Sequence, residues 1–164
     1  GNALTFVNSI TVGAGRTLTG IATSPNTVLG SMTSGGDILL ASTGNAAADG
    51  VFIFNVVTST AGVITVSAQR DVTLGATGSL VTAAPPTNPA ISITADQDAT
   101  GVGTVSLEGT LNSTNGNITI AGIGVAQTAG STINSGTGTT TIDGGNAGGE
   151  GAITFAGSIT TTFS

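Results

Sequence analysis

Along most of the chain a short phrase returns, Gly-x-apolar-Ser/Thr-apolar-x-small, in which two apolar side chains at i and i+2 flank a hydroxyl residue. Residues 103–109 read GTVSLEG, 116–122 GNITIAG, 138–144 GTTTIDG and 151–157 GAITFAG. Looser copies lie upstream: NALTFVN from Asn2, GDILLAS from Gly36, GVFIFNV from Gly50, GVITVSA from Gly62, RDVTLGA from Arg70 and PAISITA from Pro89. A period of two in segments rich in Val, Ile, Thr and Phe predicts short strands with one buried face. Gly or a turn dipeptide breaks almost every window of ten, as at Gly35-Gly36, Asn115-Gly116, Gly144-Gly145 and Gly148-Gly149. Such positions suit turns with φ > 0 and leave no length for a helix.

Two all-β architectures accommodate this pattern: a solenoid, in which each circuit of chain stacks on the one before, and an antiparallel sandwich. The phrases from residue 36 onward open at 36, 50, 62, 70, 89, 103, 116, 138 and 151, separated by 14, 12, 8, 19, 14, 13, 22 and 13 residues. Steps near 13 read as two faces of one coil and steps near 20 as a full circuit, with insertions leaving as loops. A sandwich calls for longer strands and a bulky aromatic core, whereas this chain has five Phe and neither Trp nor Tyr. The prediction is therefore one parallel β-helix over residues 1–164. At about 4.8 Å per coil and roughly 20 to 22 residues each, it forms about seven or eight coils, a rod roughly 35 to 40 Å long. The stretch 83–89 (AAPPTNP) breaks the pattern and is predicted as a projecting loop.

Composition narrows the function. Of 164 residues 38% are hydrophobic and only 6% charged, with 27 Gly and a mean hydropathy of +0.42. The disorder-prone combination of low hydrophobicity and high charge is absent, and Ser, Thr and Asn take the place of charge on the surface. There is no Cys, His or Lys, and the cations are Arg16 and Arg70. The net charge of −6 without a basic cluster speaks against nucleic acid and anionic membranes. The longest apolar run, residues 51–57 (VFIFNVV), is too short for a membrane-spanning helix. The chain opens directly in strand-like sequence, so we read it as a mature protein or an excised segment, without a signal peptide. Both terminal stretches read as further repeats, so uncapped coil ends are expected to favour self-association.

The stretch from Gly103 onward, GTVSLEGTLNSTNGNITIAGIGVAQTAGSTINSGTGTTTIDGG followed by GAITFAGSITTT, resembles the repeats of filamentous haemagglutinin-like exoproteins, large surface proteins of Gram-negative bacteria. Related repeats occur in giant autotransporter-like and in cyanobacterial or planctomycete surface proteins. The likeness extends, weakening, to about residue 36, and the conserved secretion module that opens such exoproteins has no counterpart here. What the resemblance implies is a right-handed parallel β-helix, export to the cell exterior, and adhesion or scaffolding. It brings no catalytic residues.

Candidate chemistry is sparse. Asp96 and Asp98, in ADQDATG, are the closest approach to a Ca²⁺ site or to the paired acids of a glycosidase, with Asp71 and Glu108 the next carboxylates. We read them as a polar turn after the strand ISITA. DGGN from Asp143 only partly matches a nonapeptide calcium repeat. Arg70 and Asp71 could serve a polysaccharide lyase, but adjacent strand residues point to opposite faces, so they read as surface charge. Asp37, Asp49 and Glu150 sit beside glycines and read as turn solvation. The pairs Thr17/Thr19, Thr58/Thr60, Thr139/Thr141 and Thr160/Thr162 are too irregularly spaced for an ice-binding rank and reflect β propensity. Asn112 and Asn117 open N-glycosylation sequons that a bacterial origin makes incidental. The sequence thus points to a non-enzymatic, extracellular structural or adhesive rod with no catalytic, metal or cofactor site. A partner would be another copy, or a host or cell-surface glycan or protein. The alternative is a carbohydrate-active or glycan-binding β-helix.

Overall fold

A computed structural model describes residues 1–83, 88–145 and 151–161. Among them there is no helix. The chain winds through three strands per coil. The first coil holds β1 (Leu4–Phe6), β2 (Ile10–Ala14) and β3 (Leu18–Ala22); the second β4 (Asn26–Val28), β5 (Met32–Gly35) and β6 (Ile38–Ser42). The third holds β7 (Gly50–Ile53), β8 (Val56–Ser59) and β9 (Ile64–Ala68); the fourth β10 (Asp71–Leu74), β11 (Ser79–Thr82) and β12 (Ile91–Thr94). The fifth holds β13 (Val105–Leu107), β14 (Thr110–Ser113) and β15 (Ile118–Ala121); the sixth β16 (Val125–Gln127), β17 (Thr132–Gly136) and β18 (Thr140–Asp143). Two strands of a seventh follow, β19 (Ile153–Phe155) and β20 (Ser158–Thr161).

Equivalent strands of successive coils pair in parallel. Sheet A runs β1-β4-β7-β10-β13-β16-β19, sheet B β2-β5-β8-β11-β14-β17-β20, and sheet C β3-β6-β9-β12-β15-β18. Every pairing is parallel, for example Val51↔Val72 and Val72↔Val105, so the antiparallel sandwich is excluded and the solenoid stands. The predicted geometry needs correction in two respects. Each coil has three faces rather than two, and the described residues form six full coils and two strands of a seventh rather than seven or eight coils. The recurring phrases all fall in sheets A and C, so the step of 13 from Gly103 to Gly116 crosses an unnoticed strand of sheet B (β14), whereas the step of 13 from Gly138 to Gly151 only rounds the corner from sheet C to sheet A. Corner loops also lengthen several coils: equivalent positions lie 22 residues apart at Thr110 and Thr132 but 33 apart at Asp71 and Thr104. At about 4.8 Å per step, the seven strands of sheet A span about 29 Å.

The core is a set of stacked columns. The third coil contributes Val51, Ile53, Val57, Ile64 and Val66, the fourth Val72, Leu74, Leu80, Ile91 and Ile93, the fifth Val105, Leu107, Leu111, Ile118 and Ile120, all buried. Burying one such side chain is worth roughly 1.5–3 kcal/mol. The narrow triangular interior explains the scarcity of rings, since each inward residue must fit against the same position one strand spacing away.

A second column is polar. Ser34, Ser59, Thr82 and Ser113 lie in register at the inward end of sheet B, and Ser135 is buried at the end of β17. The serine hydroxyls fasten the corner into sheet C, whereas the Thr82 hydroxyl is buried without a hydrogen-bond partner. Ser113 donates to the Gly116 carbonyl at 2.7 Å and accepts from its N–H at 3.0 Å. Ser59 donates to the Gly36 carbonyl of the preceding coil and accepts from the Gly62 N–H, and Ser135 donates to the Gly138 carbonyl. The same corner uses left-handed backbone at Asn115 (φ 62) and Gly136 (φ 58). Residues 84–87 of the predicted projecting loop lie outside the described residues.

Candidate functional site

The corner between sheets C and A gathers most of the chemistry-bearing side chains. The second and fourth coils cross it by long loops, residues 43–49 and 95–104, and between them the third coil makes a short turn at Gln69 and Arg70.

Asp96 leads the second loop from a left-handed conformation (φ 54) and is fully buried. Its Oδ1 accepts from the N–H groups of Thr100 (3.0 Å), Gly101 (3.1 Å) and Val102 (3.3 Å) and from the Thr100 hydroxyl (3.2 Å). Its own N–H donates to the Arg70 carbonyl. A carboxylate surrounded by backbone donors is a loop clamp: the charge satisfies N–H groups that a buried loop would otherwise leave unpaired. Gly103 completes the closure, since a Cβ there would lie 2.5 Å from the Asp96 nitrogen and 2.8 Å from the Arg70 carbonyl oxygen.

One Asp98 oxygen accepts from Asn45 Nδ2 at 2.8 Å and the other from the Thr100 hydroxyl at 3.1 Å. The Thr100 hydroxyl carries one proton and lies within reach of both carboxylates, so it donates to one at a time. The two predicted partners are thus brought together, but as turn-forming groups.

The other carboxylates behave alike. Asp71 accepts from the N–H (2.8 Å) and hydroxyl of Thr104, Asp49 from the Ala46 N–H, Asp37 from the Val63 N–H and Asp143 from the Gly145 N–H. Glu108 is exposed at the opposite corner, and Glu150 lies outside the described residues. Arg70 has its Nε shielded from solvent with no hydrogen-bond partner. Among the described residues no three His, Cys, Asp or Glu side chains converge as metal ligands.

The paired threonines do not form one rank: Thr19 and Thr141 lie on sheet C and Thr58 on sheet B, while Thr17, Thr60 and Thr139 occupy corners. Thr162 is outside the described residues. Sheet B instead carries a rank that the sequence reading missed, Thr11, Thr33, Thr58, Val81, Asn112, Asn134 and Thr160 in register on its outer face. Of the sequon residues, Asn112 belongs to this rank, and the Asn117 side-chain oxygen accepts from the Thr139 N–H of the next coil. A depression of ≈ 340 Å³ on the outside of sheet A, lined by Ser106, Ile123, Gly124, Ala126, Ala152 and Thr154, offers neither charge nor aromatic ring. At the corner between sheets A and B, Val7, Leu29 and Phe54 follow the last strand residues of three successive coils and are exposed.

No protein-family model, curated protein or solved structure matches this chain.

Proposed function

We propose that this chain is a structural or adhesive rod segment of an exported surface protein, and that it is not an enzyme. One observation carries the reading: the described carboxylates at the C–A corner accept hydrogen bonds that hold its loops, Asp96 from backbone N–H groups and Asp98 from the side chains of Asn45 and Thr100, while the sheets themselves run unbroken through the coils. Support for export comes from the repeat likeness and from a surface solvated by Ser, Thr and Asn. Support for adhesion comes from the exposed apolar ridge of Val7, Leu29 and Phe54, because contiguous exposed apolar residues commonly mark contact surfaces.

Two measurements test this. Incubated with a panel of neutral and acidic polysaccharides, with and without Ca²⁺, the chain should release no products. Cleavage that disappears on changing both Asp96 and Asp98 to Asn would overturn the non-enzymatic reading. Antibody against the chain should label intact cells of the source organism, and labelling only after permeabilisation would exclude a surface location.

A further inference from the structure

The sequence holds a single Asn-Gly step, Asn115-Gly116, and the fold places it at the corner between sheets B and C of the fifth coil. Asn-Gly is the step at which a polypeptide most readily attacks itself, because glycine has no side chain to shield its backbone nitrogen. That nitrogen gives its proton to a base in solvent and bonds to Cγ of the asparagine, and ammonia leaves. Water then opens the cyclic imide on one side or the other, giving aspartate or isoaspartate. Water is consumed, ammonia is released, and a neutral amide becomes a carboxylate.

The corner withholds the nucleophile. The Gly116 N–H donates to Ser113 Oγ at 3.0 Å and the residue is buried, so solvent base does not reach its proton. Asn115 itself is exposed, but its carboxamide oxygen accepts from the N–H of Thr137 in the next coil at 3.1 Å. Its backbone is left-handed (φ 62). Gly136 of the next coil packs so closely that a Cβ there would lie 2.6 Å from Asn115 Oδ1 and 2.9 Å from its nitrogen. The side chain therefore has little room to swing toward Gly116. The Asn-Ser steps at Asn112 and Asn134 lie instead in strands paired on both sides.

We propose that Asn115 is a site of spontaneous deamidation that Ser113 keeps latched in the folded coil, so that conversion proceeds only through opening of this corner. Isoaspartate adds a backbone carbon to a corner built for a tight left-handed turn and puts the Ser113 and Gly116 partners out of step. The reaction is one-way, and the product marks coils that have opened. It needs water alone, whatever the rod binds.

Peptide mass spectrometry and isoaspartyl methyltransferase labelling, after incubation of the full chain at mildly alkaline pH, read the conversion. Native chain should convert far more slowly at Asn115 than chain unfolded in urea, and Asn115→Gln should abolish the signal. Ser113→Ala should convert at least about tenfold faster than the parent. Ser59→Ala loses an equivalent pair of bonds, to the Gly36 carbonyl and the Gly62 N–H, two coils away, and should stay near the parent rate. Equal acceleration by both serine variants would overturn the latch, as would equal rates in native and unfolded parent. A second reading needs no variant: in parent chain, sub-denaturing urea should raise conversion in step with hydrogen exchange at the Gly116 amide. Conversion that rises while that amide stays protected would overturn the proposal even if Ser113→Ala does not fold.

Discussion

The carboxylate of Asp98 accepts a 2.8 Å hydrogen bond from the side-chain amide of Asn45, 53 residues earlier in the chain. The two residues belong to loops of the second and fourth coils, so the bond bridges the short turn of the third. It ties together coils that share no strand pairing. Hydrogen bonds to a charged acceptor are worth about 1.5–3 kcal/mol when shielded, and less at an exposed site such as this. A double-mutant cycle of Asn45→Ala and Asp98→Ala in urea should return a coupling of about 0.5–1.5 kcal/mol. Strict additivity would show that the loops act independently.

Asp96 should matter more than its neighbour. Replacing it with Ala strands the N–H groups of Thr100, Gly101 and Val102, and we expect a loss of about 2–3 kcal/mol. Asp98→Ala should cost less than about 1 kcal/mol. Hydrogen exchange gives a local readout, with the amides of residues 100–102 exchanging faster in Asp96→Ala and near their normal rate in Asp98→Ala. Equal effects would refute the clamp.

The corner hydroxyls give a third prediction. Ser113→Ala leaves both polar groups of Gly116 without their partner and should lower stability by about 1–3 kcal/mol. Ser92→Ala, on the outer face of sheet C, should stay within about 0.5 kcal/mol of the parent. Thermal or urea unfolding distinguishes them, and a neutral Ser113→Ala would remove the column from the account of the fold.

Position along the stack sets the fourth. Ile93 is buried in the fourth coil between Val66 and Ile120, so Ile93→Ala should cost about 2–5 kcal/mol. Ile159 lies on the last described strand of sheet B with one side uncovered, and Ile159→Ala should cost less than about 1 kcal/mol in dilute chain. A cost for Ile159→Ala equal to that for Ile93→Ala would refute the dependence on position along the stack.

The sequence exposed sheets A and C because both inward positions of their strands are usually apolar, as in Val105 and Leu107 or Ile118 and Ile120. From β5 onward sheet B escaped notice because its second inward residue is a hydroxyl: TLNS at Thr110 and TINSG at Thr132 each show a single apolar residue. The available signal was a Ser followed three residues later by Gly, at Ser59, Ser113 and Ser135. β16 was missed for a related reason, since Gln127 stands inward where its neighbours have Leu107 and Phe155. At the C–A corner the sequence supplied Asp96 and Asp98 as a polar turn, but the bond to Asn45 could not be read without knowing that the intervening coil turns tightly.

Coils of such different length stay in step because additional residues leave at the corners and the strands never feel them. The segment from Ala95 to Thr104 shows that this architecture already carries a long excursion between two strands of undisturbed pairing. Foreign peptides grafted there would be displayed at a fixed height on the shaft, which makes the corner a natural mounting point for new recognition elements, whether selected by evolution or inserted by hand.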